Sequence, residues 1–155
     1  MIDEERIKAL FDNDRNILFV AAYGSYSRGE EAYVLGEDGI SRLYNDFDMV
    51  VVVKNKKLFI TRLKHYQMHM TQIVDGAQVD FLVLDKPLSF MQKSTIWYND
   101  FRFTKKIFCG DLGDMEFYFG DLKARSIWDF DVYAMFVTRS WAAGCLSVKL
   151  VQNPY

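Results

Sequence analysis

A chain of 155 residues that is 50% hydrophobic and 16% aromatic has apolar material for one core and little left for a second, so disorder is excluded as the main state and a single domain is expected. Its 19 Lys and Arg against 21 Asp and Glu leave a formal charge of −2. That balance lacks the basic excess of a phosphate-backbone binder, so nucleic acid is not an expected partner.

The acidic start Met1-Ile2-Asp3-Glu4-Glu5 carries no apolar signal core, and no run of about eighteen apolar residues follows it. A cytoplasmic protein away from membranes is expected. Ile7, Leu10, Phe11 and Asp14 fall at helical spacing behind acids that suit the positive end of a helix dipole, which predicts a short amphipathic helix over 3–14. The unbroken apolar run 16–23 ends at Gly24-Ser25 and reads as a strand buried on both faces, then a turn. From Ser27 to Asn45 the composition shifts to Gly, Glu, Ser and Tyr with little periodicity, and a long loop is expected.

Residues 46–53 are β-branched and uninterrupted until Lys54, predicting a second strand, while 58–70 reads as a helix and 78–85 as a third strand stopped by Pro87. A helix over about 88–98, a short strand over 101–109 and a long apolar C-terminal helix over 128–151 complete the prediction. The expected fold is α/β: a mixed central sheet of three to five strands flanked by helices. Within one domain, about 1–110 forms the core and about 125–155 a helical segment. The stop soon after Leu150-Val151 is compatible with a longer parent protein.

Chemistry concentrates in three places. On a strand, Asp46 and Asp48 project to one face about 7 Å apart at Cα. Like charges this close repel unless a cation sits between them, and hard oxygen donors suit Mg²⁺. Asp80 is a third acid, set among Val79, Phe81 and Val83, where an unpaired charge is costly. If the third strand lies beside the second, the three converge on one patch able to hold two metal ions roughly 3.5–4 Å apart. At the end of the first strand, the missing Cβ of Gly24 lets phosphates approach the backbone, Ser25 and Ser27 add hydroxyls, and Arg28 offers a fork of donors. The competing reading makes Gly24-Ser25 an ordinary turn, Asp46 a strand cap and Asp80 a core acid paired with a base.

The segments Gly24-Ser25-Tyr26-Ser27-Arg28-Gly29 and Asn45-Asp46-Phe47-Asp48, with Asp80 in a later strand, together resemble the DNA polymerase beta-type nucleotidyltransferase superfamily over about residues 18–84. The resemblance implies a nucleotidyltransferase-like fold and transfer of a nucleoside monophosphate from an NTP, ATP first, to an unidentified acceptor with release of pyrophosphate. It implies that Gly24, Ser25, Ser27 and Arg28 hold the nucleotide. Asp46, Asp48 and Asp80 would be catalytic and ligate Mg²⁺, or Mn²⁺ in its place, in a two-metal mechanism. The alternative is a non-catalytic nucleotide-sensing or antitoxin-like interaction module on the same fold.

Other features carry no expected role. His65 and His69 lie four apart, but Tyr66 stands where a zincin helix has Glu, and no third ligand is evident. Asp111, Asp114 and Glu116 lack the ligand register of a calcium loop. Lys54, Lys56 and Lys57 suit a solvated strand end, and Cys109 and Cys145 read as small buried hydrophobes.

Overall fold

A computed structural model describes residues 2–30, 32–39, 41–89 and 96–120. The expected C-terminal helix over 128–151 lies outside these residues.

Helix α1 (Glu4–Asp12) begins where Asp3 accepts a hydrogen bond from the Arg6 backbone N–H and places Glu4 and Glu5 in the first turn. Both features stabilise its positive end. Strand β1 (Ile17–Tyr23) runs into a single helical turn, α2 (Ser25–Arg28). Strand β4 (Phe47–Val53) follows a hairpin of β2 (Tyr33–Leu35) and β3 (Ser41–Leu43). The loop expected over 27–45 is therefore structured: its turn residues sit between two three-residue strands too short for an alternating pattern to register. Helix α3 (Lys56–Ile73) starts at Asn55, whose side chain accepts from the Leu58 N–H. It is the crossover that a parallel pair requires, and it leads into β5 (Val79–Leu84).

Helix α4 (Ile96–Thr104) occupies residues assigned from sequence partly to a helix ending near Tyr98 and partly to a strand. The aromatic spacing of Tyr98 and Phe101 is helical, and both side chains are buried. Only Lys106–Cys109 is strand, β6, and a 3-10 turn (Gly113–Met115) leads into a last turn, α5 (Glu116–Phe119).

The four-stranded sheet has the order β5-β4-β1-β6, with β1 antiparallel to both neighbours and β4 parallel to β5. This is the mixed sheet expected. Val20, Ala22, Phe47, Met49, Val51 and Val53 face α1 and α3, while Phe19, Ala21, Val50 and Val52 face Tyr98, Phe101, Met115 and Phe119. Alternation thus buries Phe19–Ala22 and Met49–Val53 on both faces, and these sequences read as continuous apolar runs. Each fully buried large side chain in these layers contributes about 1.5–3 kcal/mol through the apolar surface it removes from water.

On the first face Tyr66 stacks between Phe11, at 5.1 Å, and Phe59, at 5.0 Å. Its hydroxyl donates to Asp14 at 2.6 Å. Asn16, buried where β1 begins, donates to the Asn55 carbonyl at 3.0 Å and accepts from the Asn55 N–H at 2.9 Å. This amide clamp satisfies backbone groups at the foot of α3 and ties the exit of β4 to the entry of β1.

Candidate active site

Because β1 is antiparallel to β4 and β4 parallel to β5, the end of β1 lies beside the beginnings of the other two strands. Tyr23 is opposite Asp48, and Asp48 is opposite Asp80. Residues in register on neighbouring strands share a face, so Tyr23, Asp48 and Asp80 form a row across the sheet on the α4 side. Gly24 follows Tyr23 at the mouth of this row.

The row is electrostatically unbalanced. The Asp48 carboxyl is raised to about 6, by burial first and then by the charges of Asp80, Asp46 and Asp100; Arg28 pulls it down only in part. The Tyr23 hydroxyl is also raised, by burial and by Asp48, Asp100 and Asp80, and stays protonated. Carboxylates gathered with too little compensating positive charge are what a bound cation relieves.

Gly24 is locally essential to this geometry. Its φ of 75° and ψ of −150° belong to a region open essentially to glycine alone. A Cβ there would meet Asp48 Oδ2 at 2.8 Å. The bend and the carboxylate row therefore touch. Ser25 opens α2, where the first-turn N–H groups have no intrahelical acceptor. Ser27 follows with its Oγ buried and without a hydrogen-bond partner among the described residues, as is Asn45 Oδ1 beside Asp46. Such orphans are rare in folded proteins.

Two expectations need correction. Asp80 is not embedded: it is exposed near the start of the edge strand β5 and accepts from Gln78 Nε2 at 3.1 and 3.2 Å. Nor do the three acids form a finished ligand set, for among the described residues no three His, Cys, Asp or Glu side chains stand together in a way that would hold a metal ion. Asp46 lies one residue before β4 begins and is exposed. It is thus outside the strand pleat on which the shared-face expectation rested, although its charge reaches Asp48. The donors that are present, hard carboxylate oxygens around an uncompensated negative centre, fit a divalent cation in chemistry.

Arg28 is engaged within the chain. Its Nη1 donates to Asp100 Oδ1 at 2.6 Å and its Nε to Glu30 Oε2 at 2.7 Å. Burial works against the cation, but these two carboxylates more than offset it, and the guanidinium is held firmly protonated. Asp100 was missed in the sequence. The available signal was an acid amid Tyr98, Phe101 and Phe103, the first two of which prove buried.

Of the features without an expected role, Cys145 lies outside the described residues. Asp111 accepts from the Gly113 N–H at 2.6 Å as an ordinary turn. The half-buried Cys109 thiol is raised to about 12, by burial and then by Asp12, so it is inert as a nucleophile. Among the described residues, no helix is long and apolar enough to cross a membrane.

No family model matches the chain, and no curated protein matches it. Solved structures do. A toxin-antitoxin complex with AMP-PNP contains a chain matching at a TM-score of 0.50 with 16% identity, covering 97% of each chain. The tri-AMPylated Shewanella oneidensis HEPN toxin in complex with MNT antitoxin matches at 0.47 with 15% identity, covering 96% of this chain and 95% of the other. The toxin-antitoxin MntA-HepT matches at 0.46 with 14% identity, covering 96% of each. At this identity the likeness to the first is one of fold: a mixed sheet flanked by helices.

Proposed function

We propose that the chain is a metal-dependent nucleotidyltransferase that moves a nucleoside monophosphate, from ATP in the first instance, to an acceptor hydroxyl or phosphate. The single observation that carries this reading is the contact between bend and acids: Gly24 abuts the Asp48 carboxylate, which lies in register with Asp80. A nucleotide held at that bend has its phosphates beside a group of carboxylates with little compensating positive charge. The fold shared with a toxin-antitoxin complex solved with AMP-PNP supports an adenine nucleotide.

In this reading the backbone at Gly24 admits the triphosphate, Ser25 and Ser27 donate their hydroxyls to it, and Arg28 binds its outer oxygens. Asp48 and Asp80, with Asp46 beside them, hold Mg²⁺ or Mn²⁺. When bound, the divalent cation neutralises the phosphates and the reacting oxygens. The acceptor oxygen attacks the α-phosphorus, one P–O bond forms, the bond to pyrophosphate breaks, and the acceptor proton passes to solvent. Placement and charge are the chain's contribution. A second reading, an antitoxin-like module that binds nucleotide or a protein partner without turnover, draws on the same fold likeness.

The test is pyrophosphate release from ATP with Mg²⁺, together with thermal shift, on the wild type and on Asp46→Asn/Asp48→Asn. Release and metal-dependent nucleotide binding that vanish together in the variant support the transferase. Binding with no release at any metal concentration, with cell extract supplied as acceptor, refutes it in favour of the module. An acceptor from that extract gaining the mass of one nucleoside monophosphate identifies the second substrate.

A further inference from the structure

We propose that Asp100 is a positioning residue of the nucleotide site, fixing the Arg28 guanidinium at the bend so that its remaining N–H donors meet the outer phosphates of a nucleoside triphosphate. The proposal rests on the functional reading above and extends the site to helix α4, which lies beyond the segment that carries the motif resemblance.

Three observations support it. Asp100 is only 7% exposed, and a carboxylate taken so far out of water needs a charged partner. That partner is Arg28, 72 residues away in sequence at 2.6 Å. Next, the carboxylate is held by a rigid support. Phe101 is fully buried, and its ring meets Phe19 and Tyr23 edge-on, each at 6.4 Å. The adjacent Tyr98 donates to the Phe119 carbonyl at 2.6 Å. Asp100 therefore cannot follow a wandering arginine; the arginine is brought to it.

Finally, the donor arithmetic leaves Arg28 free to act. A guanidinium has five N–H donors in a planar fork. One goes to Glu30 and one to Asp100, which fixes the plane and leaves the others for phosphate oxygens. With Asp100 nearly buried and the Arg28 side chain 30% exposed, the ion pair adds little net stability compared with apolar residues of the same volume, so stability alone gives a weak reason for an acid at this place. Orientation of a phosphate-binding fork does.

The experiment is calorimetric titration of ATP and AMP, with Mg²⁺, into wild type, Asp100→Asn, Arg28→Gln and the double variant, with thermal unfolding of each. AMP lacks the outer phosphates and serves as the internal control. The expected result is an ATP dissociation constant raised about tenfold to a hundredfold in either single variant, the worth of a charge-assisted contact. The double variant should be no worse than the singles, and AMP affinity should change less than twofold. ATP affinity that is unchanged or tighter in Asp100→Asn overturns the proposal, as does an equal loss for ATP and AMP, which marks general damage to the fold. If Asp100→Asn does not fold, Arg28→Lys decides, since it keeps the charge and loses the fork: weakened ATP with AMP spared supports the proposal, and unchanged ATP overturns it. A wild type that binds neither nucleotide refutes the functional reading itself, an outcome separate from the others.

Discussion

Replacing Gly24 with alanine isolates the contact on which the site depends. Two penalties act at once. The backbone at φ 75° and ψ −150° costs on the order of 1–3 kcal/mol for any residue bearing a Cβ. The new methyl also lies 2.8 Å from Asp48 Oδ2, and relieving such overpacking typically costs about 1–3 kcal/mol. The Asp48 side chain is short and half-buried, so the relief comes from turning its carboxylate away from the bend. Together these give an expected loss of about 2–6 kcal/mol, read as a melting temperature lower by roughly 4–24 °C for a chain of this size. Gly29→Ala is the matched control: φ is 71° and ψ 30°, but no heavy atom lies within 4 Å of the added Cβ, so only the left-handed penalty of about 1–2 kcal/mol applies. Differential scanning calorimetry on both variants makes the comparison. Equal destabilisation would refute the reasoning, because it would mean that Gly24 and Asp48 are not in contact.

Asp48→Asn should be stabilising at neutral pH. With Asp48 raised to about 6 by burial and by Asp80, Asp46 and Asp100, the folded state holds more protons than the unfolded one from about pH 4 to 6, so stability falls as pH rises through that window. The variant removes this slope and gains on the order of 1 kcal/mol at pH 7 after allowance for solvent screening; urea titrations that give parallel pH profiles for the two proteins count against it. Tyr66→Phe acts in the opposite sense. Burial would raise Asp14, but hydrogen bonds from Tyr66, the Asn16 N–H and Arg62 outweigh it and hold the carboxyl below its ordinary value, so the stabilisation is present at neutral pH and is lost as pH falls. The phenyl ring keeps both aromatic stacks, and the loss should be about 1–2 kcal/mol at pH 7, shrinking once Asp14 protonates. A loss that is constant with pH points to packing instead.

How much of this was legible depends on the range over which each signal acts. β1 and β4 announce themselves because both faces are buried, and a run such as Val50-Val51-Val52-Val53 admits few other interpretations. The acids Asp48 and Asp80 were also visible in the sequence, but the pairing of their strands stood there only as a condition, met in the sheet. The end effects were not. Whether Asp46 belongs to the pleat turns on a single residue at a strand boundary, and whether Asp80 is covered turns on its strand being an edge, which only the sheet order reveals. The helical turn at 101–104 was hidden because Phe101 and Phe103 suit a strand as well as a helix. Asp100 was hidden for a different reason: its partner Arg28 lies 72 residues upstream, and no local pattern encodes a partner at that distance.

The sheet's arrangement has a bearing on how the chain is made. β1 emerges early from the ribosome, but one of its flanks is covered only by β6, whose Ile107 pairs with Ala21. Until about residue 109 has been synthesised, a fully apolar strand presents an unsatisfied row of amides and carbonyls to its surroundings, open to pairing with neighbouring nascent chains. Slowing translation just upstream of β6, with synonymous rare codons, should thus lower soluble yield more than the same pause placed after it.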